Sequence, residues 1–367
     1  MPIRIRLTRL NLAYRDGMVL HTATSGAVPA LDEVRLVVER DGAVAALGAS
    51  RVNIAYLSGI DADTLAGMCV RAVMRADWTR DWTGITAGLD AVWPDLAPPA
   101  RMLVEMAAAD GAARTRGEPL ARFLGGDAAA RVPTNQTLFH ADDVTTMRRA
   151  EAYVARGFTD LKLRIGLGDI ENDIRRLRLL RKRFGDTVML SVDANGCWDA
   201  DAARGNLAKL SPFGLRYVEQ PIAAKSWGDL VGLTAVAPVP LMLDESIDSA
   251  ANIERLAACG RPFLAHLKLA KLGGLDRLMR AGRLLRDAGI SVMVGQMNEG
   301  SVSTLAAAHA AAALRAPYCE LYGADGLVGD PARALTYEDG HLTLPPGAGL
   351  GLRAHEATGT ILWEQTL

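Results

Sequence analysis

VMLSVDAN (188–195) is an apolar run that ends at an acidic residue, and LRYVEQP (215–221) and VPLMLDES (239–246) repeat the pattern. The acidic residues are Asp193, Glu219 and Asp244. They follow one another at 26 residues (193 to 219) and 25 residues (219 to 244), about the length of one strand with its crossover helix. Because equivalent ends of successive parallel strands lie side by side, we expect the three carboxylates to surround one small space.

The chain from Val132 onward continues this alternation of strand and helix patterns. The other predicted strands are VPTNQTLF (132–139), DLKLRIG (160–166), FLAHLKLAK (263–271), ISVMVGQMN (290–298) and YCELYGAD (318–325). Amphipathic, Arg-rich stretches between them predict helices with one solvated face. Eight strands with helices between them are the count and order of a (β/α)₈ barrel, so the fold class is α/β.

The segment before the barrel has a different pattern. Alternating runs in the first 50 residues predict strands, a Gly/Ser/Thr-rich loop spans 15–28, and 61–122 has helical spacing with one helix starting at Pro98-Pro99. After Asp330-Pro331 the helical pattern stops, and we expect an extended tail that returns to the N-terminal part.

Composition limits the classes of function. At 367 residues the chain is long enough for a barrel and a second, smaller domain, and its net charge of −1 argues against nucleic-acid binding. The four cysteines form no CxxC pair, which favours reduced thiols and a cytoplasmic location. No secretory signal and no apolar stretch of membrane-spanning length is seen, so no membrane partner is expected.

The three carboxylates offer only oxygen, which favours Mg²⁺, with Mn²⁺ as the other option, over zinc. The alternative is that each acidic residue caps the helix that follows it. Three such residues at near-equal spacing favour the metal. The six histidines, at 21, 140, 266, 309, 341 and 355, show no spacing that indicates a metal or a Ser/His pair.

Cationic residues are predicted on the inner face of two strands. Lys162 and Arg164 in DLKLRIG point to the same side by the two-residue period of a strand, and Lys268 in HLKLA follows the same logic. Lys271 is an alternative candidate for the inward-pointing lysine, but it lies beyond the end of the strand. We expect Lys268 to be a general base with a lowered pKa, since it would lie near a cation and other basic groups.

Supporting residues are predicted at the same carboxyl ends of the barrel strands. Asn195 would face the same side as Asp193 and orient a lysine or ligand, whereas Glu245 would face away from the metal and pair with a lysine across the barrel. Glu299 and Glu320 end two strands and are either acid–base groups or rim ion pairs. Substrate contacts are expected from Tyr14, His21, Ser25, Arg51, Asn53 and Tyr56.

The ordered motifs DxN (193–195), EQP (219–221), DES (244–246), KxR (162–164) and HLKLAKLGG (266–274) together resemble the enolase superfamily. The chain is most similar to the muconate lactonizing enzyme (muconate cycloisomerase)-like subgroup of the mandelate racemase/muconate lactonizing enzyme family. MPIRIRLTRL, PLARFLGG (119–126), GQMNEGSVSTLAAAH and ELYG add to the resemblance, which covers nearly the whole chain. Gln296 stands where the mandelate racemase subgroup has a histidine, which argues against that subgroup.

The resemblance implies an α+β capping domain at 1–125, completed by 340–367, and a modified (β/α)₇β TIM barrel at 126–339. It implies Mg²⁺ on Asp193, Glu219 and Asp244. It also implies removal of the proton α to the carboxylate of a small organic acid, giving a metal-stabilised enolate, and assembly as a homo-oligomer, a dimer or an octamer.

One departure from the family pattern bears on the reaction. The family usually has KxK on the second strand, with the second lysine as a base, but Arg164 stands there and arginine stays protonated in proteins. A chain with one base favours cycloisomerisation or syn-elimination of water, that is, an isomerase or a lyase (dehydratase). The alternatives are a racemase or epimerase of an amino-acid derivative, and a metal-binding homologue without activity. GADGL (323–327) replaces the Asp-x-Asp of the dipeptide epimerases and disfavours that activity.

Overall fold

The computed structural model of the chain describes residues 2–15, 18–22, 26–127, 129–259, 262–332, 335–352 and 359–367. It is a mixed α/β structure in which an antiparallel N-terminal domain lies against a parallel sheet that is nearly closed into a barrel. Among the described residues, no helix combines the length and apolarity needed to cross a bilayer.

The N-terminal domain has strands followed by helices, as the sequence predicts. Its strands are β1 (Ile3–Ala13), β2 (Leu20–Thr22), β3 (Gly26–Val28), β4 (Ala30–Arg40) and β5 (Ala43–Arg51). Its helices are α1 (Ala55–Ser58), α2 (Ala62–Arg75), α3 (Trp82–Val92), α4 (Pro98–Thr115) and α5 (Leu120–Phe123). Within the segment expected to be a loop, β2 and β3 pair as a short hairpin, and helix α4 starts at Pro98, where a missing N–H costs nothing.

Strands and helices then alternate around the barrel. The elements are β6 (Arg131–Pro133), β7 (Gln136–Leu138), α6 (Asp143–Ala155), β8 (Asp160–Arg164), α7 (Ile170–Phe184), β9 (Met189–Asp193), α8 (Ala200–Leu210), β10 (Leu215–Glu219), α9 (Trp227–Leu233), β11 (Leu241–Leu243), α10 (Ala250–Cys259), β12 (Phe263–Lys268), α11 (Leu269–Leu272), α12 (Leu275–Asp287), β13 (Val292–Gly295), α13 (Ser301–Leu314) and β14 (Tyr318–Glu320). In the described chain, β7 to β14 form one parallel sheet in sequence order. The predicted barrel architecture is confirmed.

The first predicted strand is divided into two. β6 pairs with the tail, whereas β7 begins the barrel sheet. The change occurs at two residues: the Thr134 N–H donates to the carbonyl of Gly340 at 2.9 Å, and the Asn135 N–H donates to that of Cys319 at 3.0 Å. The second bond links the first barrel strand to the last, so this break also helps to close the sheet.

The tail returns to the N-terminal domain, as expected. Its strands are β15 (Thr336–Glu338), β16 (His341–Thr343) and β17 (Thr360–Thr366). β17 pairs antiparallel with β1 and completes a sheet of order β17-β1-β4-β5 in the described chain. β16 instead pairs with β6 beside the barrel, and the domain boundaries at 125, 126, 339 and 340 stay a prediction.

Helix α4 attaches the N-terminal domain to the segment that follows β12. The buried carboxylate of Glu105 accepts the backbone N–H groups of Leu275 and Asp276 at 2.7 and 3.0 Å, at the start of α12. Arg101 donates to the carbonyl of Gly273 at 2.6 Å. Because α11 and this loop directly follow Lys268, the contacts from α4 fix the segment that carries it.

Candidate active site and metal centre

Strand register places the polar side chains in one layer at the carboxyl end of the barrel. Arg164 is paired with Asp193, and Asp193 with Glu219, on three neighbouring strands. On the other side of the sheet, Lys268 is paired with Gly295, and Gly295 with Glu320. The convergence that equal spacing predicts therefore occurs at this rim.

Lys162 lies at the centre of a fully buried ion cluster. Its Nζ is 2.7 Å from Glu219 Oε2 and 3.6 Å from Asp193 Oδ2, and it also contacts Glu320. Burial alone would lower the pKa of Lys162, but Glu219 and Glu320 outweigh it and raise that pKa. In turn, Lys162 and His266 outweigh burial and hold the pKa of Glu219 below its ordinary value. This lysine therefore balances charge inside the barrel.

Arg164 holds Asp193. The guanidinium contacts Asp193 Oδ2 and donates to Asn195 Oδ1 at 3.1 Å, and the Asn195 N–H donates to Asp193 Oδ1 at 2.8 Å. Asn195 has a φ of 46°, a left-handed conformation that turns its side chain back to the rim. Asn195 thus faces Asp193 as expected. Its Nδ2 also donates to Glu245 at 3.1 Å.

Two lysines contact Asp244. Lys268 Nζ donates to Asp244 Oδ2 at 2.6 Å, and Lys271 donates to the Asp244 backbone carbonyl at the same distance. Burial disfavours the charged form of Lys268, but Asp244, Glu320 and Glu219 outweigh it and raise its pKa. The spacing of residues along the chain does not predict this contact with Asp244, and the lowered pKa expected of Lys268 beside a cation stays a prediction. Burial instead lowers the pKa of Lys271, whose side chain reaches the site from beyond the strand.

A group suited to a metal ion forms from two of the predicted carboxylates and one histidine. Ligand atoms of Glu219, Asp244 and His266 lie within 4.8 Å of one another, all three residues buried. Asp193 is not in this group, and its predicted role as a ligand stays a prediction. Buried carboxylates on adjacent strand ends, without a thiol, fit a divalent cation.

Sequence reasoning missed His266. The histidines were set aside because no two of them have ligand spacing, yet one histidine is enough when the other ligands come from other strands. The available signal was position: His266 precedes Lys268 by two residues on β12, so both side chains must point the same way.

The rim residues open into a small cleft of about 70 Å³. Its walls include Tyr56, Arg164, Asn195, Asp244, Glu245, Lys268, Lys271, Gln296, Met297, Asn298 and Glu320. Glu245 lines this cleft and accepts a hydrogen bond from Asn195. Among the described residues it forms no ion pair with a lysine, whereas the sequence analysis expected one across the barrel. Gln296 Oε1 accepts the N–H of Glu299 at 2.7 Å.

The predicted substrate-binding residues fall into separate places. Tyr56 lines the cleft and is 36% exposed. Tyr14 is buried, and burial raises its pKa to about 12. Arg51 is buried, with its guanidinium on Asn53 at 2.8 Å and on the Met297 carbonyl at 2.5 Å, so it ties the N-terminal domain to the loop after β13. The His21 side chain and Ser25 lie outside the described residues.

Glu299 is a buried carboxyl at the junction of the two domains. Its Oε2 accepts the Met297 N–H at 3.0 Å, and its Oε1 has no partner among the described residues. Burial is the main cause that raises its pKa to about 7, and the nearby Glu33 adds to the effect. The folded chain therefore favours the protonated carboxyl.

Glu299 should make stability fall as pH rises. Below the ordinary pKa of 4.5 the carboxyl is protonated in folded and unfolded chains alike, and between 4.5 and about 7 only the folded chain holds the proton. The free energy of unfolding therefore falls by on the order of 3 kcal/mol across that window and levels off above it. We expect Glu299→Gln to gain stability over the parent by this amount between pH 4.5 and pH 8 in urea unfolding. A difference between Glu299→Gln and the parent that does not change with pH would contradict the assignment.

Comparison with known proteins gives consistent results. The family model described as enolase C-terminal domain-like matches residues 145–358. Muconate cycloisomerase 1 of Pseudomonas putida is 32% identical over 260 residues, which is 69% of this chain and 68% of that protein. L-Lys-D/L-Arg epimerase of Methylococcus capsulatus is 34% identical over 262 residues, 70% of this chain and 72% of that protein.

The solved structures give the same result for the fold. The muconate lactonizing enzyme from Pseudomonas fluorescens, complexed with muconolactone, aligns with a TM-score of 0.87 at 28% identity. The alignment covers 96% of each chain. The similarity therefore includes the N-terminal domain as well as the barrel.

Proposed function

Because the chain belongs to the enolase superfamily, in its mandelate racemase/muconate lactonizing enzyme-like group, we propose that it removes the proton α to the carboxylate of a small organic acid. The overall reaction would be that of an isomerase of the muconate cycloisomerase type or of a syn-eliminating lyase. Chains of this group are enzymes of both the cycloisomerase and the epimerase kind.

One observation carries the choice of a one-base reaction. Lys268 on β12 and Arg164 on β8 line the same cleft, four strands apart in a sheet of eight, so they face it from opposite sides. A lysine accepts a proton once it is neutral, whereas a guanidinium does not. The chain therefore offers a proton acceptor on one face of a bound substrate, Lys268, and a fixed positive charge on the other.

A divalent cation, Mg²⁺ or Mn²⁺, would be held by Glu219 and Asp244, with Asp193 as the third carboxylate that the family pattern implies. When bound, it would offset the negative charge beside Lys268 and stabilise charge that develops on the substrate's carboxylate oxygens. Lys162 pairs with Glu219 and Glu320 inside the barrel and offsets their charge. Arg164 can bind an anionic group of the substrate. We also propose a homo-oligomer, and the resemblance to the family is its support.

A racemase or epimerase of an amino-acid derivative is the second candidate, since an epimerase is among the relatives. Such a reaction needs an acceptor on both faces of the α-carbon, and the position of the second one is held by Arg164. A non-catalytic homologue that binds a metal is the third candidate.

Exchange of the α-proton in D₂O separates these candidates. We expect NMR across a set of small carboxylates and N-acylated amino acids to show exchange with retained configuration, and Arg164→Lys to add exchange with loss of configuration. Loss of configuration in the parent chain would establish the racemase instead. No exchange with any acid, in protein that binds Mn²⁺, would leave the non-catalytic homologue.

A further inference from the structure

Gln296 presents an unpaired hydrogen-bond donor at the cleft. The residue directly follows β13, is only 3% exposed and lines the cleft. Its Oε1 accepts the Glu299 N–H at 2.7 Å, whereas its Nε2 has no hydrogen-bond partner in the described part of the chain. Turning the amide over would set Nε2 against the Glu299 N–H, two donors together, so the orientation is fixed. A buried donor without a partner costs free energy that a ligand's acceptor can recover.

The turn after β14 leaves room for this amide. A Cβ on Gly323 would lie 2.3 Å from Gln296 Oε1 and 2.5 Å from its Nε2, too close for either atom to stay in place. Gly323 does not have the left-handed backbone conformation that favours glycine. The space taken by the amide of Gln296 is therefore the reason that a side chain is excluded at this position.

Three successive strands set the order in which a bound acid meets the chain. Asp244 directly follows β11, Lys268 ends β12, and Gln296 directly follows β13. An acid whose carboxylate lies at the proposed cation and whose α-carbon lies at Lys268 extends toward Gln296 when it continues in the same direction. Nε2 of Gln296 would then meet the distal group of that acid.

The side chains around that end of the cleft are neutral. The uncharged residues among the cleft walls are Tyr56, Leu57, Asn195, Gln296, Met297 and Asn298. Arg51 lies behind Met297 but uses its nitrogens on Asn53 and on the Met297 carbonyl. Arg164 contacts Asp193, on the side of the proposed cation.

The charge pattern disfavours an ionic distal group. Glu320 ends β14, the strand next to Gln296, so a distal carboxylate would lie near a like charge. A distal ammonium would bring donors to a donor and leave Nε2 unpaired. A neutral carbonyl oxygen accepts from Nε2 and needs no counter-ion.

We propose that Gln296 determines specificity by donating through Nε2 to a neutral carbonyl oxygen in the distal part of the substrate. The substrate is then an acid that also contains an amide, an ester or a lactone, rather than a dicarboxylate or an amino acid with a free distal ammonium. The inference rests on the proposed function and narrows its substrate class.

Calorimetric titration of the full chain with Mg²⁺ present tests this without measuring turnover. The probes are acids of matched chain length that end in a methyl ester, a carboxylate, an ammonium group or an alkyl group. We expect the ester to bind about tenfold more tightly than the alkyl acid, roughly what one hydrogen bond to an otherwise unpaired donor contributes. The carboxylate and the ammonium acid should bind no better than the alkyl acid.

Two variants identify the donor. Gln296→Met, of similar length, should remove the preference for the ester and leave affinity for the alkyl acid within about twofold, which also shows that the cleft is intact. Gly323→Ala should have the same effect by displacing the amide while Gln296 is kept. Gln365→Met, at an exposed position on β17, is the matched control and should keep the preference.

Contrary results separate this inference from the proposed function. A dicarboxylate that binds best, or an ester preference that survives in Gln296→Met, would overturn the inference while α-proton exchange of the bound acids still supports the proposed function. Ester preference that depends on Gln296, with no exchange of any bound acid in D₂O, would support the binding site and overturn the proposed function. No binding of any of these acids would overturn the inference as well.

Discussion

Lys268→Ala is expected to lower the rate of α-proton exchange by about 10²–10⁴-fold, the contribution of a well-placed acid–base side chain. Lys268 ends β12, lines the cleft opposite Arg164 and lies 2.6 Å from Asp244, beside the proposed cation. The variant keeps Lys271 as a cationic partner of Asp244, and we therefore expect it to fold. NMR exchange rates in D₂O at saturating acid, with circular dichroism as a check on the fold, measure the effect.

The matched control for this prediction is Lys209→Ala. Lys209 lies on α8 and pairs with Glu171 at 2.9 Å, with both side chains about half exposed. Its loss should leave exchange unchanged. Full exchange activity in Lys268→Ala would remove the assignment of the base, whatever the metal does.

Lys162→Met is expected to lower the free energy of unfolding by about 3–5 kcal/mol, the usual consequence of removing one partner from a buried ion pair. Lys162 is completely buried, and its loss leaves Glu320 with Arg164, 3.8 Å away, and Glu219 with His266. The side chain is replaced by one of similar length, so lost charge dominates over lost packing. Urea unfolding in the presence of chelator measures the change without help from a bound cation.

A second substitution identifies the cause. Glu320→Gln added to Lys162→Met removes one of the uncompensated charges and should restore at least about 1 kcal/mol, because residues of one ion network are not additive. The exposed Lys225→Met should change stability by no more than about 0.5 kcal/mol. If Lys162→Met were as mild as the control, the ion cluster would have no energetic role in the barrel.

The parts of the fold that the sequence predicts are those set by periodicity. Asp193, Glu219 and Asp244 recur at one strand-and-helix interval, so their approach at one rim follows from parallel strands alone. Two-residue alternation likewise places Lys162 and Arg164 inside the barrel. These inferences need only the backbone, which local sequence determines well.

The parts that escaped prediction are side-chain pairings across the barrel. Register fixes where the Cα of Asp193 lies, but not that its carboxylate turns to Arg164, because that choice depends on charges from distant strands. The same holds for His266, which joins Glu219 and Asp244 through contacts between residues 47 and 22 positions apart (266 − 219 and 266 − 244). The break at Thr134 was hidden for a similar reason, since its partner Gly340 comes from the tail.

Anomalous diffraction from a crystal soaked with Mn²⁺ and an acid that undergoes exchange tests whether the cation and Lys268 meet the same substrate in the cleft. We expect one Mn²⁺ peak about 2.0–2.2 Å from an oxygen of Glu219 and one of Asp244. We also expect the α-carbon of the acid about 3–3.5 Å from Lys268 Nζ. A peak away from these carboxylates, or an acid whose α-carbon faces Arg164 with Lys268 out of reach, would contradict this arrangement.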